Sequence, residues 1–185
     1  LIDLNIKALT RLVYLCSSHM LAHGKESFIT NISSIAAFFT VPYFGLYSGT
    51  KKYVKDLTET LSYEFKNTNI HFCTVYPGPT KTNFLKSAQM IPNGVGEKFL
   101  MCPNKVAKAS LKATLNKKKN SFINVSNKIL TLYSFLPNAF LIPAGHAIMK
   151  VGASYSKKSK ELEISTNNIG QKDIDSSNHE GRDEV

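Results

Sequence analysis

The stretch Phe28-Ile-Thr-Asn-Ile-Ser-Ser-Ile-Ala36 is a short apolar run that ends in two serines. Its β-branched and apolar residues are typical of a strand that is buried on both faces of a parallel sheet. We therefore predict a strand over Ser27–Ile32. Ser33 and Ser34 then follow the carboxyl end of this strand directly.

A second buried strand is predicted at Ile70–Tyr76, where Pro77-Gly78 stops the apolar run. Between the two strands, residues 45–66 carry apolar side chains at helical spacing. A strand, a helix and a strand in this order indicate a βαβ crossover with parallel strands. The predicted fold class is thus α/β, with a Rossmann-like, doubly wound parallel sheet.

The remaining elements follow from the same patterns. Helices are predicted at residues 2–22 and 103–115, a final strand at 121–125, and loops at 33–44 and 80–101. Gly24 provides the stop signal of the first helix, and Pro103 suits the start of the other.

The helix after the first strand begins with Tyr47-Ser-Gly-Thr-Lys51. Residues four apart on a helix share one face, so the phenol and the ammonium would lie one turn from each other. A phenol exchanges protons poorly at neutral pH unless its anion is stabilised, and a nearby ammonium favours that anion. A tyrosine and a lysine at this spacing also occur as an ordinary surface pair.

Parallel sheets place ligands beyond the carboxyl ends of their strands. Ser34 follows one predicted strand, and Pro77-Gly78 follows the next, while the helix with Tyr47 begins between them. These residues can therefore line one cleft. A phenol, an ammonium and a hydroxyl in one cleft outline a site for ketone/alcohol redox chemistry.

The order and spacing of Ser34, of Tyr47-x-x-x-Lys51, and of Pro77-Gly78-x-x-x-Thr82 resemble the short-chain dehydrogenase/reductase family. Upstream, Leu4-Asn-Ile-Lys-Ala8 resembles the family's helix that carries a catalytic asparagine, here Asn5. The resemblance implies an NAD(P)(H)-dependent oxidoreductase. The family spacing to the tyrosine favours Ser34 over Ser33 as the catalytic serine.

The resemblance also implies a role for each matching residue. Tyr47 would exchange a proton with the substrate oxygen, Ser34 would orient that oxygen, and Asn5 would hold a water in a proton relay to Lys51. As a cap of a helix start, Asn5 would have a structural role instead. The residues expected to bind the cofactor are Tyr47, Lys51, Pro77, Gly78, Thr80 and Thr82. NADP(H) is favoured over NAD(H), and no residue is predicted to bind a metal.

In this family the fold opens with a strand, a glycine-rich turn for the cofactor phosphates and a helix. Gly94-Val95-Gly96 lacks the strand and spacing of such a turn, so a lid role suits it better. We expect the chain to correspond to the C-terminal catalytic half of the fold, incomplete at the N-terminus. Residues 1–125 would be the catalytic portion, 126–153 an apolar helical segment, and 154–185 a disordered polar tail.

The formal net charge of +10 favours anionic partners, but no nucleic-acid-binding motif is recognisable. The lysines therefore indicate solvated helix faces or, as a smaller alternative, a phosphate-bearing substrate. The cysteines Cys16, Cys73 and Cys102 are far apart and odd in number, which suits free thiols in a reducing compartment. A cytoplasmic location follows from this interpretation.

Residues 129–149 contain no charged side chain, although prolines interrupt the run. Two short helices at a membrane surface, in the C-terminal packing or in a subunit interface are the alternatives. The apolar segment favours a lipid-like substrate, such as a 3-oxoacyl compound or a steroid, over a small polar ketone. A non-catalytic binding protein and a peripheral membrane module remain as alternative functions, and the resemblance implies a homo-oligomer for the whole protein.

Overall fold

The computed structural model describes residues 1–39, 42–84, 100–135, 139–143 and 146–147. Within these parts, three strands form one parallel sheet in the order β1-β2-β3. The strands are β1 (Ser27–Ile32), β2 (Ile70–Tyr76) and β3 (Asn120–Phe122). The predicted α/β class and the parallel direction of the strands are confirmed.

Four α-helices are formed in the described residues, together with shorter helical turns. The α-helices are α1 (Leu9–His23), α2 (Gly45–Glu64), α3 (Pro103–Leu115) and α4 (Val125–Leu130). A π-helical turn (Asp3–Ala8) precedes α1, 3₁₀ turns occupy Ile35–Phe38 and Thr131–Phe135, and residues 139–143 are helical. Gly24 ends α1 with φ = 67°, a left-handed conformation that glycine adopts without steric cost.

One face of the sheet packs on α1 and α2. Val13 of α1 meets Ile29, Ile70 and Phe72, which are all at most 8% exposed. Partly buried residues of the two helices complete this cluster: Leu9, Met20, Leu61 and Phe65. Burial of these apolar side chains is the main force that holds α2 against the sheet and thereby places the start of α2 near the strand ends.

The other face of the sheet packs on α3. Successive side chains of a strand point to opposite faces, so Cys73 and Val75 turn away from Phe72 and meet Ala113. The hydroxyls of Thr30 and Thr114 are 2.6 Å apart in the same layer. Helices therefore cover both faces of the sheet, which is the doubly wound arrangement.

A polar contact fastens the carboxyl end of β2. Tyr76 is fully buried, and its hydroxyl donates to Glu59 Oε1 of α2 at 2.8 Å and lies 3.0 Å from the side-chain amide of Asn120. Burial, reinforced by the neighbouring Glu59 carboxylate, raises the pKa of Tyr76 above its ordinary value. The phenol therefore stays neutral and donates, which ties α2 and β3 to the end of β2.

The last strand differs from the prediction. β3 covers Asn120–Phe122, and residues from Val125 onward are helical instead of extended. Phe122 pairs with Tyr76, and the next residue of β2 would be Pro77, which has no N–H to continue the ladder. The predicted strand at 121–125 is therefore wrong beyond Phe122.

The predicted loop at 33–44 contains a 3₁₀ turn, Ile35–Phe38. The Ser34 hydroxyl accepts a hydrogen bond from the Ala36 N–H at 3.1 Å and so stabilises this turn. The predicted lid at 94–96 and the tail at 154–185 lie outside the described residues. In the segment 129–149, residues 129–135, 139–143 and 146–147 are described.

Candidate active site

The backbone after β1 and the backbone after β2 stay side by side at the carboxyl edge of the sheet. The Ser33 N–H donates to the Val75 carbonyl at 2.9 Å, and the Ile35 N–H donates to the Pro77 carbonyl at 3.0 Å. Ser34, between these two bonds, is thereby held next to Pro77-Gly78. The structure thus brings together the two strand ends that the sequence predicted to share one cleft.

Tyr47 lies in the first turn of α2 and faces this edge. Its side chain is half-buried, and the buried Ser34 side chain lies near enough to its hydroxyl to lower the pKa of the phenol. The Ser34 hydroxyl also lies 3.5 Å from the Pro77 carbonyl. The neighbouring Ser33 is directed elsewhere, since its hydroxyl donates to the Lys51 carbonyl at 2.8 Å. Of the two serines, Ser34 is the one that the fold places against the tyrosine.

Lys51 follows Tyr47 by one helical turn. Its Nζ donates to the Ile32 carbonyl at 2.9 Å and lies 5.9 Å from the centroid of the Tyr47 ring. The ammonium is half-buried, and no carboxylate of the described residues forms an ion pair with it. Because the Ile32 carbonyl uses one of three N–H groups, the ammonium can also donate to hydroxyls of a ligand.

Burial dominates the protonation of the pair. It raises the pKa of Tyr47, while the neighbouring Ser34 hydroxyl acts in the opposite direction. Burial also lowers the pKa of Lys51. The net shift of the Tyr47 pKa is opposite to the lowering that we expected from Lys51. The cost of burying a phenolate explains the difference.

Asn5 reaches α2 through a residue that the sequence analysis did not single out. Its Nδ2 donates to Thr50 Oγ1 at 3.1 Å, and the Thr50 hydroxyl donates to the Tyr47 carbonyl at 2.8 Å. Asn5 itself lies in the π-helical turn before α1. Its side chain therefore connects that turn to the backbone of the Tyr47 turn, and among the described residues it makes no hydrogen bond to Lys51.

Thr80 and Thr82 follow β2 at the same edge of the sheet. The Thr80 hydroxyl donates to the Gly78 carbonyl at 2.9 Å, and the exposed Thr82 hydroxyl lies 3.5 Å from the Thr80 carbonyl. Met101 pairs with Thr80 in an isolated parallel bridge. Both threonines are thus near the strand ends, with hydroxyls turned to their own backbone, and their contacts to a cofactor stay a prediction.

Two phenylalanines flank the Tyr47 ring, and neither was identified from the sequence. Phe44 meets it edge to face with ring centroids 5.8 Å apart, and Phe84 lies over it at 5.2 Å with the planes tilted by 36°. Phe44 precedes α2, whereas Phe84 comes from the segment after β2. The position of Phe44, one turn before Tyr47, was a usable signal, but the long-range contact of Phe84 had none.

Residues 1–91, which contain Asn5, Ser34, Tyr47, Lys51 and Pro77-Gly78, match the short chain dehydrogenase family. These residues make the chain a member of the short-chain dehydrogenase/reductase family.

Two related proteins illustrate the extent of the match. The chain is 35% identical over 86 residues to the "Probable short-chain type dehydrogenase/reductase VdlC" of Helicobacter pylori, which covers 46% of this chain and 31% of that protein. It is 30% identical over 142 residues to the "Putative steroid dehydrogenase 4" of Caenorhabditis elegans, covering 76% and 51%, respectively. The chain thus spans 31% of the length of one relative and 51% of the other.

A solved short-chain dehydrogenase from Sphingobium yanoikuyae, in complex with NADPH, has a similar fold. The TM-score is 0.60 at 25% identity, and the match covers 74% of this chain and 56% of that one. The Rossmann-like assignment of the three-stranded sheet with its flanking helices is confirmed by this likeness.

Proposed function

We propose that the protein to which this chain belongs is an NAD(P)(H)-dependent oxidoreductase that interconverts a hydroxyl and a keto group. The observation that carries the proposal is the placement of Ser34 and Tyr47 together at the carboxyl edge of the sheet, with Lys51 one turn away. The proposal concerns the whole protein, since the chain spans about half the length of its relatives.

The chain's own residues suit such a cofactor. Lys51 has no carboxylate partner among the described residues and retains N–H groups for the hydroxyls of a ribose. Tyr47, Pro77, Gly78, Thr80 and Thr82 would line the same side, at the edge where open parallel sheets bind nucleotides. When bound, the nicotinamide supplies the hydride in reduction and accepts it in oxidation.

Tyr47 carries the proton in the proposed reaction. In reduction its hydroxyl gives a proton to the substrate oxygen while hydride reaches the carbonyl carbon, and the product is the alcohol. In oxidation the phenolate takes the proton back. Ser34 would donate a hydrogen bond to the same oxygen and stabilise its developing negative charge.

The raised pKa of Tyr47 keeps the proton donor of the reductive step in its active form near neutral pH. Burial keeps the phenol protonated, and a protonated phenol is the form that donates. Oxidation needs the phenolate, which the buried site disfavours. Lys51 would then return a proton to Tyr47 after each reduction, and Asn5 would hold a water that links Lys51 to solvent. The Asn5–Thr50 contact itself ends on the Tyr47 backbone carbonyl and would only position this turn of α2.

The surroundings of Tyr47 support an apolar, lipid-like substrate, such as a 3-oxoacyl compound or a steroid. Phe44 and Phe84 present aromatic surface on two sides of the reacting hydroxyl's ring. Aromatic side chains bind flat or apolar groups well. A polar ligand would lose its hydrating water against them without gaining hydrogen bonds in return. The likeness to a protein named as a steroid dehydrogenase agrees with this substrate class.

The decisive assay follows NADPH or NADH consumption by the full-length natural protein with a panel of ketones. We expect turnover with steroid ketones or 3-oxoacyl thioesters and a much lower kcat/KM with small polar ketones. Consumption with small polar ketones alone would contradict the substrate class. Absence of both cofactor binding and turnover would instead favour the non-catalytic alternative.

The pH dependence of oxidation provides a test of Ser34. We expect oxidation to rise with pH toward the raised pKa of Tyr47, because the phenolate is the active base. Ser34→Ala removes the hydroxyl that lowers this pKa, so the rise of the oxidation rate with pH should move to still higher pH. The measurement is the pH profile of kcat/KM for alcohol oxidation.

A matched control is Ser126→Ala, the same substitution at an exposed serine outside the site. Its profile should coincide with that of the wild type. If the rise of kcat/KM with pH in Ser34→Ala occurs at the same pH as in the wild type, or at lower pH, Ser34 does not stabilise the Tyr47 phenolate.

A further inference from the structure

One face of α3 combines lysines and leucines that are exposed to solvent. Lys108, Leu111, Lys112 and Leu115 have the spacing i, i+3, i+4 and i+7 and therefore share one side of the helix. All four are exposed, the leucines by 64% and 67%. We call these four residues the Lys–Leu face. Its length along the helix is about 10 Å.

The opposite side of α3 is committed to the core. Ser110, Ala113 and Thr114 are buried, and Thr114 contacts Thr30 of β1. The Lys–Leu face therefore points away from the sheet. A flat surface could approach it without displacing any contact that holds α3 to the sheet.

The charge on this face and along the neighbouring chain is positive. No Asp or Glu occurs among residues 98–160 of the sequence. In the described part of the chain, neither Lys108 nor Lys112 forms an ion pair, and Lys118 and Lys119 are exposed just after the helix. Lys117 is the exception, since it pairs with Glu26. The positive charge of the face thus favours binding of an anionic partner.

We propose that the Lys–Leu face docks on an anionic lipid surface. A helix that lies in the membrane interface places apolar side chains at the acyl boundary and basic side chains among the headgroups. Leu111 with Leu115 and Lys108 with Lys112 supply both components. The Lys–Leu face shares no residue with the oxidoreductase site, so each of the two proposals can be tested without the other.

Other partners fit the face less well. A twofold dimer through this surface would set its lysines against the same lysines of the second copy, with no acidic residue of the face to compensate. A nucleic acid would satisfy the lysines but leave both leucines in contact with phosphates and water. An anionic lipid surface is the partner that uses all four side chains.

The test is sedimentation of the chain with vesicles of phosphatidylcholine alone or mixed with phosphatidylserine. We expect binding to the mixed vesicles that weakens as salt is added. The double variant Lys108→Gln, Lys112→Gln should bind about 30-fold more weakly, because each lysine near an anionic surface contributes about 1 kcal/mol. The double variant Leu111→Ser, Leu115→Ser should lose roughly tenfold or more.

A matched control carries the same kinds of substitution at the C-terminal end of α2, Tyr63→Ser within the helix and Lys66→Gln just beyond it, where both side chains are also exposed. It should bind like the wild type. Circular dichroism and the Tm should be unchanged in all three variants, because every altered side chain lies on the surface.

Several results would overturn the proposal. These are equal binding to both kinds of vesicle, no binding at all, and binding that survives both double variants, as it would if residues 129–149 carried it. Light scattering that shows a dimer lost in the variants would assign the face to a second copy. Preferential binding to RNA or DNA, lost only with the lysines, would assign it to a nucleic acid.

Discussion

Tyr47→Phe is expected to lower kcat for ketone reduction by about 10²- to 10⁴-fold in the full-length protein, which is the usual contribution of a positioned proton donor. The substitution removes the hydroxyl that meets Ser34 and retains the ring that packs between Phe44 and Phe84. Because packing is conserved, the loss should fall on the chemical step. Steady-state kinetics of NADPH consumption measures it, and cofactor binding by fluorescence should change little.

Tyr63→Phe is the matched control, since it removes a hydroxyl from an exposed tyrosine of the same helix. Its kcat should equal that of the wild type. Near-normal turnover of Tyr47→Phe with intact cofactor binding would exclude proton transfer by Tyr47. A loss of cofactor binding in that variant would instead show that the phenol mainly supports the nicotinamide site.

Phe72→Ala is expected to lower the free energy of unfolding of the chain by about 3–5 kcal/mol. Phe72 is 3% exposed in the centre of β2, where it packs in the cluster with Val13, Ile29 and Ile70. Its ring also lies 5.3 Å from that of Phe65 on α2. Removal of the ring leaves a cavity at the junction of the sheet with α1 and α2, and those elements position the candidate site.

Urea unfolding followed by circular dichroism measures the effect. The expected loss is a large share of the roughly 5–15 kcal/mol that a typical domain has, so unfolding at low denaturant is the expected outcome. Phe135→Ala, at a side chain that is 85% exposed, should change the free energy by less than about 0.5 kcal/mol. Equal small effects at both positions would show that the Phe72 cluster is not the stabilising core.

The strands β1 and β2 could be predicted at the residue level because each is a short, mostly apolar run. β2 is buried at six of its seven positions and β1 at every second one, and Pro77-Gly78 marks the end of β2. The end of β3 could not be predicted in this way. Ile123 and Val125 favour a strand, but the ladder stops because its partner strand reaches a proline. That limit is set by a neighbour distant in sequence.

Some residues of the candidate site could likewise be predicted from the sequence, and others could not. Ser34, Tyr47 and Lys51 could be grouped from strand ends and helical spacing, which are local properties of the chain. The Asn5–Thr50 link joins residues 45 positions apart, and Phe84 reaches Tyr47 from beyond β2. Contacts of this kind depend on how separate elements dock, so the order of residues along the chain does not predict them.

The local order of residues is enough to predict an α/β fold with a hydroxyl, a phenol and an ammonium at one edge of a parallel sheet. The tertiary structure was needed for the state of those groups. Burial, which arises only when α2 packs on the sheet, raises the pKa of Tyr47 and lowers that of Lys51. The physical reason is that periodicity specifies which side chains share a face, whereas the protonation of a group depends on the solvent that the whole fold excludes.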